Sequence, residues 1–283
     1  MNPYTLRGKT CLSLSGGRTS AFMLAQVLEA NPDRGDLVVC FANTGREHPA
    51  TLDFVRDIGE RWGVPIVWLE YRRGLPGFEV VDHATAGRHG EPYAALIRKK
   101  KYLPRPTARF CTSDLKIRPM ARYLRDVLGW PAGYDMLLGI RADEPRRVSK
   151  MRGKSTSEVK GAEILLPLAE AGVDVQQVGA FWQAQAFDLH LRAINGRTTL
   201  GNCDACFLKG AGQVYSIITT DREVGLWWAE QEQWVEDNGK PSKHGARFRL
   251  DRPGYREMLA NGNDQSDLFP LDDDDQIDCF CGA

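Results

Sequence analysis

The sequence predicts an α/β protein with a doubly wound, mostly parallel sheet. From Cys11 to Ile140, short apolar segments typical of buried strands alternate with segments whose apolar residues recur at helical spacing. A Ser-Gly-Gly-x-x-Ser segment at 15–20 joins the first strand directly to the first helix. Right-handed crossovers place the loops after parallel strands at one edge of the sheet. We therefore expect residues 15–20, 43–47 and 141–147 to line one crevice.

Each predicted strand is followed by a segment that completes the alternation. The predicted elements are, in order, a strand at 11–14, a helix with inward Ala21, Leu24 and Leu28, a strand at 37–41, a helix with inward Val55, Ile58 and Trp62, a strand at 64–69, a helix starting at Leu115 or Ile117, and a strand at 136–140. Residues 72–109, rich in Gly, Pro and basic residues, are expected to form a lid or substrate loop. After a boundary at residue 210, we expect a helical region that ends in a flexible acidic tail.

The glycine turn is the strongest local signal for ligand binding. Gly16 and Gly17 allow the backbone to turn tightly and approach an anion, and Ser20 adds a hydroxyl at the start of the helix. Amides at a helix N-terminus favour bound negative charge. The spacing is not Gly-x-x-x-x-Gly-Lys-Ser/Thr, which excludes the ordinary nucleotide triphosphatase loop. Phosphate binding and a simple strand-to-helix turn both remain open.

Composition narrows the class of protein. The 283 residues include 37 basic and 37 acidic ones, so no global positive field indicates nucleic acid. The sequence has no apolar run of about 18 residues and no secretory apolar core. We therefore expect a cytoplasmic protein with no membrane partner. Its seven cysteines favour thiol, metal or redox chemistry over a disulfide framework.

Three of the cysteines are candidates for one site. Cys203 and Cys206 form a Cys-x-x-Cys pair, and Cys111 lies at the start of another predicted element. A structural zinc ion normally needs two such pairs, or a pair plus histidines, so a metal cluster, zinc and plain thiols all remain open. Cys11 and Cys40 fall inside predicted strands and are interpreted as small buried hydrophobic residues.

Several motifs in a fixed order carry a family resemblance over about residues 8–210. They are Ser15 to Ser20, Phe41 to Glu47, Cys111 to Lys116, Leu138 to Asp143, Leu166-Pro167-Leu168 and Gly201 to Cys206. Together they resemble the PP-loop superfamily, and within it the phosphoadenosine phosphosulfate (PAPS) reductase family. The resemblance implies an adenine nucleotide alpha hydrolase-like fold, with ATP or a PAPS-like nucleotide across the carboxyl ends of the strands. The implied nucleotide-binding residues are Ser15, Gly16, Gly17, Arg18, Thr19, Ser20, Asn43, Thr44 and Gly45.

The same resemblance implies an iron-sulfur cluster. Some PP-loop sulfur-transfer enzymes hold a 4Fe-4S cluster with three cysteines and one open iron, and Cys111, Cys203 and Cys206 are similar to that set. Cys281 partly resembles the C-terminal nucleophilic cysteine of PAPS reductases, but the missing Glu and the absent downstream histidine favour a frayed tail with incidental thiols. Thr19 stands where adenylating relatives carry an aspartate.

The remaining candidate catalytic residues follow predicted strands or the first cysteine. Arg141 is similar to the family arginine that approaches a phosphate or sulfate, since its planar fork binds two oxygens. Asp143 or Glu144 is a candidate ligand of Mg²⁺ if ATP is used. Lys116 would complete the anion site. A surface loop with internal ion pairs is the alternative for the 141–147 run.

Two classes of function follow. The first is an enzyme of sulfur-linked chemistry, either sulfonucleotide reduction or adenylation followed by thiolation, whose sulfur or electron donor is unidentified. The second is a nucleotide-binding regulatory or nucleic-acid-associated module without turnover, in which the basic run Arg98 to Lys101 contacts the partner. Either class is compatible with a homodimer.

Overall fold

A computed structural model describes residues 2–152, 161–194, 197–240 and 245–261. The strands are β1 (Thr10–Leu14), β2 (Leu37–Asn43), β3 (Ile66–Tyr71), β4 (Phe78–Val81), β5 (Tyr134–Leu138), β6 (Ala162–Leu165), β7 (Ala193–Ile194) and β8 (Arg197–Thr198). The helices are α1 (Arg18–Ala30), α2 (Pro49–Arg61), α3 (Glu91–Lys100), α4 (Phe110–Thr112), a π-helical segment (Ser113–Ile117), α5 (Arg118–Asp126), α6 (Pro145–Arg152), α7 (Pro167–Glu170), α8 (Val175–Gln183), α9 (Ala211–Thr220), α10 (Arg222–Asn238) and α11 (Tyr255–Asn261). Among these helices, none is both long and apolar enough to cross a membrane.

The main sheet has the strand order β4-β3-β2-β1-β5-β6, in which only β4 runs antiparallel to its neighbour. The predicted α/β fold with a mostly parallel sheet is thus confirmed. The chain moves outward from β1 in one direction through β2 and β3, then returns to the other side of β1 to form β5. The crevice of such a sheet opens where the strand order reverses, at the carboxyl ends of β1 and β5.

Both faces of the sheet are covered by helices, which is why its strands are apolar on both sides. Leu12 and Leu14 pack on one face, in a core shared with α1, α2 and α8. Cys11 and Cys40 lie on the other face with Met120 of α5, and both thiols are fully buried, as the sequence predicts.

The segment at residues 72–109, expected to be an irregular lid or substrate loop, contains two regular elements, which corrects that part of the prediction. It contains the edge strand β4 and the helix α3. The Gly, Pro and Lys residues of this segment hid both elements from the sequence analysis. Strand β4 is short, and α3 is preceded by a glycine in the left-handed conformation, Gly90 (φ 82°). Strand β6 and helices α6 to α8 were likewise not predicted.

The helices after residue 210 join a second core. It combines Tyr93 and Leu96 of α3 with the cysteine loop at 203–208 and with buried aromatic residues of the C-terminal region, including Trp228 and Tyr255. The helical character of this region agrees with the sequence prediction. The expected domain boundary falls just before α9, inside this shared core.

Candidate active site

The glycine turn is held in shape by its own serines. Gly16 takes a positive φ of 77°, a conformation that favours glycine. Ser20 Oγ accepts a hydrogen bond from the Ser15 amide at 3.0 Å, lies 2.8 Å from Ser15 Oγ, and donates to the Gly17 carbonyl at 3.1 Å. Among the described residues, no side chain caps α1 at Gly17. The amides of its first turn are therefore suited to an external anion.

The loop after β5 presses against this turn, as expected for the crevice. A Cβ added at Gly139 would lie 2.9 Å from Ser20 Cα, so the two backbones approach closely. Arg141 Nη1 donates to Thr19 Oγ1 at 3.1 Å, and Arg141 Nε donates to Asp143 Oδ1 at 2.8 Å. Arg141 and Asp143 thus stand beside the glycine turn, where the first can approach a phosphate and the second a cation.

Arg18 makes a contact that the sequence did not predict. Its guanidinium forms a two-pronged ion pair with Asp188, with Nε donating to Oδ1 at 2.6 Å. Burial disfavours the charged carboxylate, but hydrogen bonds from Arg18 and the Leu189 amide outweigh burial and lower the pKa of Asp188. In addition, Trp182 Nε1 donates to the Arg18 carbonyl at 2.9 Å. Helix α8 and the segment after it therefore support the start of α1.

The loop after β2 is folded by the residues expected to bind the nucleotide. The Asn43 side-chain amide donates to Glu70 Oε1 at 2.7 Å and its carbonyl accepts from the Gly45 amide at 3.0 Å, and Asn43 is fully buried. The Thr44 amide donates to Glu47 Oε2 at 2.8 Å. Asn43 consequently acts here by shaping the loop.

The three candidate ligand cysteines meet in one pocket. Cys111 comes from α4, Cys203 and Cys206 come from the loop before α9, and all three side chains are buried. The pocket is lined further by Thr44, Tyr93, Lys116, Asn202, Leu115 and Leu208. Backbone pairing brings the two sides together, because Cys203 forms an antiparallel bridge with Glu47.

The pocket offers cysteine sulfurs, which are soft metal ligands, and a lysine lies beside them. Lys116, in the π-helical segment, is nearly buried, and its Nζ lies 3.6 Å from Glu47 Oε1. Across the described ranges, no three His, Cys, Asp or Glu side chains are arranged to hold a metal ion. A single zinc ion would require the sulfurs to converge within about 2.3 Å of one point. By the chemistry of their donors, three cysteines match the soft ligands of an iron-sulfur cluster, whose cysteines bind different irons.

A buried network fixes the Cys-x-x-Cys turn. Asp204 accepts hydrogen bonds from Trp228 Nε1 at 2.8 Å and pairs with the guanidinium of Arg46, which stacks 4.6 Å from the Trp227 ring centre. Burial raises the pKa of Asp204 even though Arg46 and the Trp228 donor favour the ionised form. Tyr255 Oη donates to the Ala205 carbonyl at 2.6 Å. The C-terminal helices thus position both cysteines of the pair.

The basic run of α3 makes intramolecular contacts. Arg98 donates to Gln231 Oε1 at 2.8 Å and lies 5.1 Å from the Trp234 ring centre. Lys100 Nζ pairs with Asp114 at 2.8 Å. These contacts hold α3 against its neighbours. They give no specific indication that α3 forms a nucleic-acid-binding surface.

Cys281 lies outside the described residues. The sequence analysis missed two residues that contribute to the site, Tyr93 and Asp188. Tyr93 fell in the segment expected to be irregular, although Pro92 at a helix start is a signal that would have revealed α3. No local signal marks Asp188, because its partner Arg18 is distant in sequence.

Two comparisons with known proteins identify the family of the chain. The model of the phosphoadenosine phosphosulfate reductase domain matches residues 9–178, which include the glycine turn, the loop after β2, Cys111 and Arg141. The Cys-x-x-Cys pair lies beyond the matched range. The uncharacterized nin region protein ORF290 of Escherichia phage lambda is 30% identical over 211 residues, which are 72% of this chain and 67% of that protein. The chain belongs to the phosphoadenosine phosphosulfate reductase domain family of the PP-loop superfamily.

Proposed function

We propose that the chain is an enzyme that binds an adenine nucleotide at the carboxyl ends of β1, β2 and β5 and performs sulfur-linked chemistry at the adjoining thiol pocket. The nucleotide is ATP or an adenylylated sulfur nucleotide. One observation carries the proposal: three cysteines from two remote segments line a pocket that Thr44, at the end of β2, also lines. Nucleotide and sulfur chemistry would thus share one edge of the sheet.

The crevice supplies the groups that such a nucleotide needs. The first-turn amides of α1 would bind phosphate or sulfate oxygens, and Arg141 would add a two-pronged contact. Asp143 would hold Mg²⁺ when ATP is the substrate. In an adenylation, a substrate oxygen attacks the α-phosphate, pyrophosphate leaves, and a sulfur nucleophile then displaces the adenylate. In a reduction, a thiolate attacks the sulfonate sulfur and its bond to the phosphate oxygen breaks.

The thiol pocket would hold an iron-sulfur cluster through Cys111, Cys203 and Cys206. Such a cluster, when bound, supplies electrons or an open iron that binds sulfur. Lys116 offsets the negative charge that thiolates bring into a buried pocket. For the reductase reaction Cys281 is the candidate nucleophile, and a second thiol would release sulfite and leave a disulfide.

The first experiment measures iron, acid-labile sulfide and zinc in protein purified without oxygen, together with its visible spectrum. We expect a brown protein that loses iron and sulfide in Cys111→Ser, Cys203→Ser and Cys206→Ser. Cys40→Ala is the matched control, because this cysteine is buried in β2, away from the pocket. Metal-free protein after anaerobic reconstitution, or full iron in Cys203→Ser, would refute the cluster.

A second experiment separates the two reactions. The protein is incubated with ATP and Mg²⁺, or with PAPS and a thiol reductant, and pyrophosphate and sulfite are measured. Pyrophosphate release supports adenylation, and sulfite release supports reduction. Nucleotide binding without either product would favour a regulatory module.

A further inference from the structure

Tyr93 holds an unusual position in the thiol pocket. It belongs to the first turn of α3, is 1% exposed, and lines the pocket with the three cysteines. Its ring packs against two adjacent tryptophans of α10, with ring-centre distances of 5.6 Å to both Trp227 and Trp228. A Cβ at Gly90 would collide with the Trp227 ring, so α3 is fixed closely against α10. The phenol is therefore held rigidly toward the pocket.

The Tyr93 hydroxyl makes no hydrogen bond of ordinary geometry in the described part of the chain. The pocket that Tyr93 lines is also lined by Cys111, Cys203 and Cys206. Buried hydroxyls in folded proteins are nearly always paired, so a buried one without a partner needs an explanation.

We propose that Tyr93 is a ligand-positioning residue whose hydroxyl donates a hydrogen bond to a small sulfur anion, of which hydrosulfide is the simplest, bound among the three cysteines. The inference rests on the proposed function, because thiolates alone would repel an anion and the cysteine-held group must supply the attraction. It adds a specific donor to that site. A phenol on a rigid helix fixes the direction of the anion, whereas a flexible lysine would fix mainly its charge.

The test compares Tyr93→Phe with wild-type protein, both reconstituted anaerobically with iron and sulfide and then desalted. Sodium hydrosulfide is the probe, and its dissociation constant is measured from the change in the visible spectrum. We expect equal iron content and a dissociation constant raised about tenfold or more in Tyr93→Phe, the usual size for loss of a hydrogen bond to a charged group. Tyr71→Phe is the matched control, since Tyr71 is buried in the same core and its hydroxyl also has no partner among the described residues, but it does not line the pocket.

A second measurement separates ligand positioning from a structural role. In the metal-free protein, Tyr93→Phe removes an unpaired buried hydroxyl, so we expect an unfolding midpoint equal to or above that of the wild type. A lower midpoint, an unchanged hydrosulfide affinity, or no hydrosulfide binding by the iron-loaded wild type would each overturn the assignment of Tyr93 while leaving the cluster intact. Failure of the wild type to bind iron would overturn both proposals.

Discussion

The hydroxyl of Thr44 lies 3.4 Å from the sulfur of Cys203, although 159 residues separate them in the chain. The same hydroxyl is 2.8 Å from Glu47 Oε2. The loop after β2 and the Cys-x-x-Cys turn are therefore parts of one hydrogen-bonded unit. A ligand that moves Thr44 would also change the surroundings of the thiol pocket.

The buried pair of Arg46 and Asp204 should make a large contribution to stability. Asp204→Asn leaves the Arg46 guanidinium buried without its counter-charge, and we expect a loss of about 3 kcal/mol in the free energy of unfolding. Urea denaturation measures this loss. Asp126→Asn, at an exposed pair with Arg125, is the control and should leave the midpoint unchanged. Similar midpoints for the two variants would contradict the structural importance of the buried pair.

Glu232 should make stability depend on pH. Its carboxylate accepts hydrogen bonds from the Phe248 and Tyr255 amides at 3.1 and 2.9 Å. Burial, opposed by these donors and by the charge of Arg247, raises the pKa of Glu232 from 4.5 to about 7.

Between these two pKa values the folded state binds more protons than the unfolded state. The contribution of Glu232 to the free energy of unfolding therefore falls as pH rises from about 4.5 to 7 and is constant outside that window. We expect Glu232→Gln to remove this part of the slope when unfolding is measured by urea at pH 5, 6 and 7. Parallel wild-type and variant profiles would show that Glu232 does not titrate there.

Gly16 should be irreplaceable for two separable reasons. A Cβ there meets Thr51 Cγ2 at 2.5 Å and the backbone has a positive φ, whereas Gly35 has a positive φ with nothing within 4 Å. Gly35→Ala thus measures backbone strain alone, about 1 kcal/mol. We expect Gly16→Ala to cost more in urea denaturation and to weaken nucleotide binding measured by calorimetry. Equal effects of the two substitutions would mean that the neighbours of Gly16 relax.

Arg98 should act through packing rather than through partner binding. Arg98→Gln removes the contacts with Gln231 and the Trp234 ring, so we expect a loss of about 1 kcal/mol in the free energy of unfolding. Lys101→Gln, at an exposed residue three positions further along the chain, is the control and should change stability little. A salt-dependent loss of nucleic-acid binding in Arg98→Gln, with unchanged stability, would instead favour the nucleic-acid-associated module.

The central strands were predictable because hydrophobicity alone marks them. Leu12, Val39 and Met136 lie in apolar runs that must be buried on both faces of a parallel sheet, and β1, β2 and β5 occur there with shifts of a few residues at their ends. By contrast, β6 has only four residues and borders a charged segment. Such a strand forms because it can pair with the edge of β5. The residues of β6 alone do not indicate this pairing.

The candidate site was predictable to different depths. The glycine turn can be recognised from the type and position of its residues, because Gly16 takes a positive φ, a conformation that favours glycine, between a strand and a helix. The cysteine pattern left the meeting of Cys111 with Cys203 as one possibility, and the family resemblance favoured it. The pairing of Arg18 with Asp188 depends on where α8 packs, which no spacing in the sequence encodes.

The support that α10 and α11 give to the Cys-x-x-Cys turn has a consequence for biosynthesis. All strands of the sheet that carries the glycine turn have been synthesised before residue 170. Trp228 and Tyr255, which donate hydrogen bonds to Asp204 and Ala205 of the Cys-x-x-Cys turn, leave the ribosome much later. A nascent chain can therefore form the sheet edge with the glycine turn before Cys203 and Cys206 join Cys111 in the pocket. Loading of a thiolate-bound group would have to follow release of nearly the whole polypeptide.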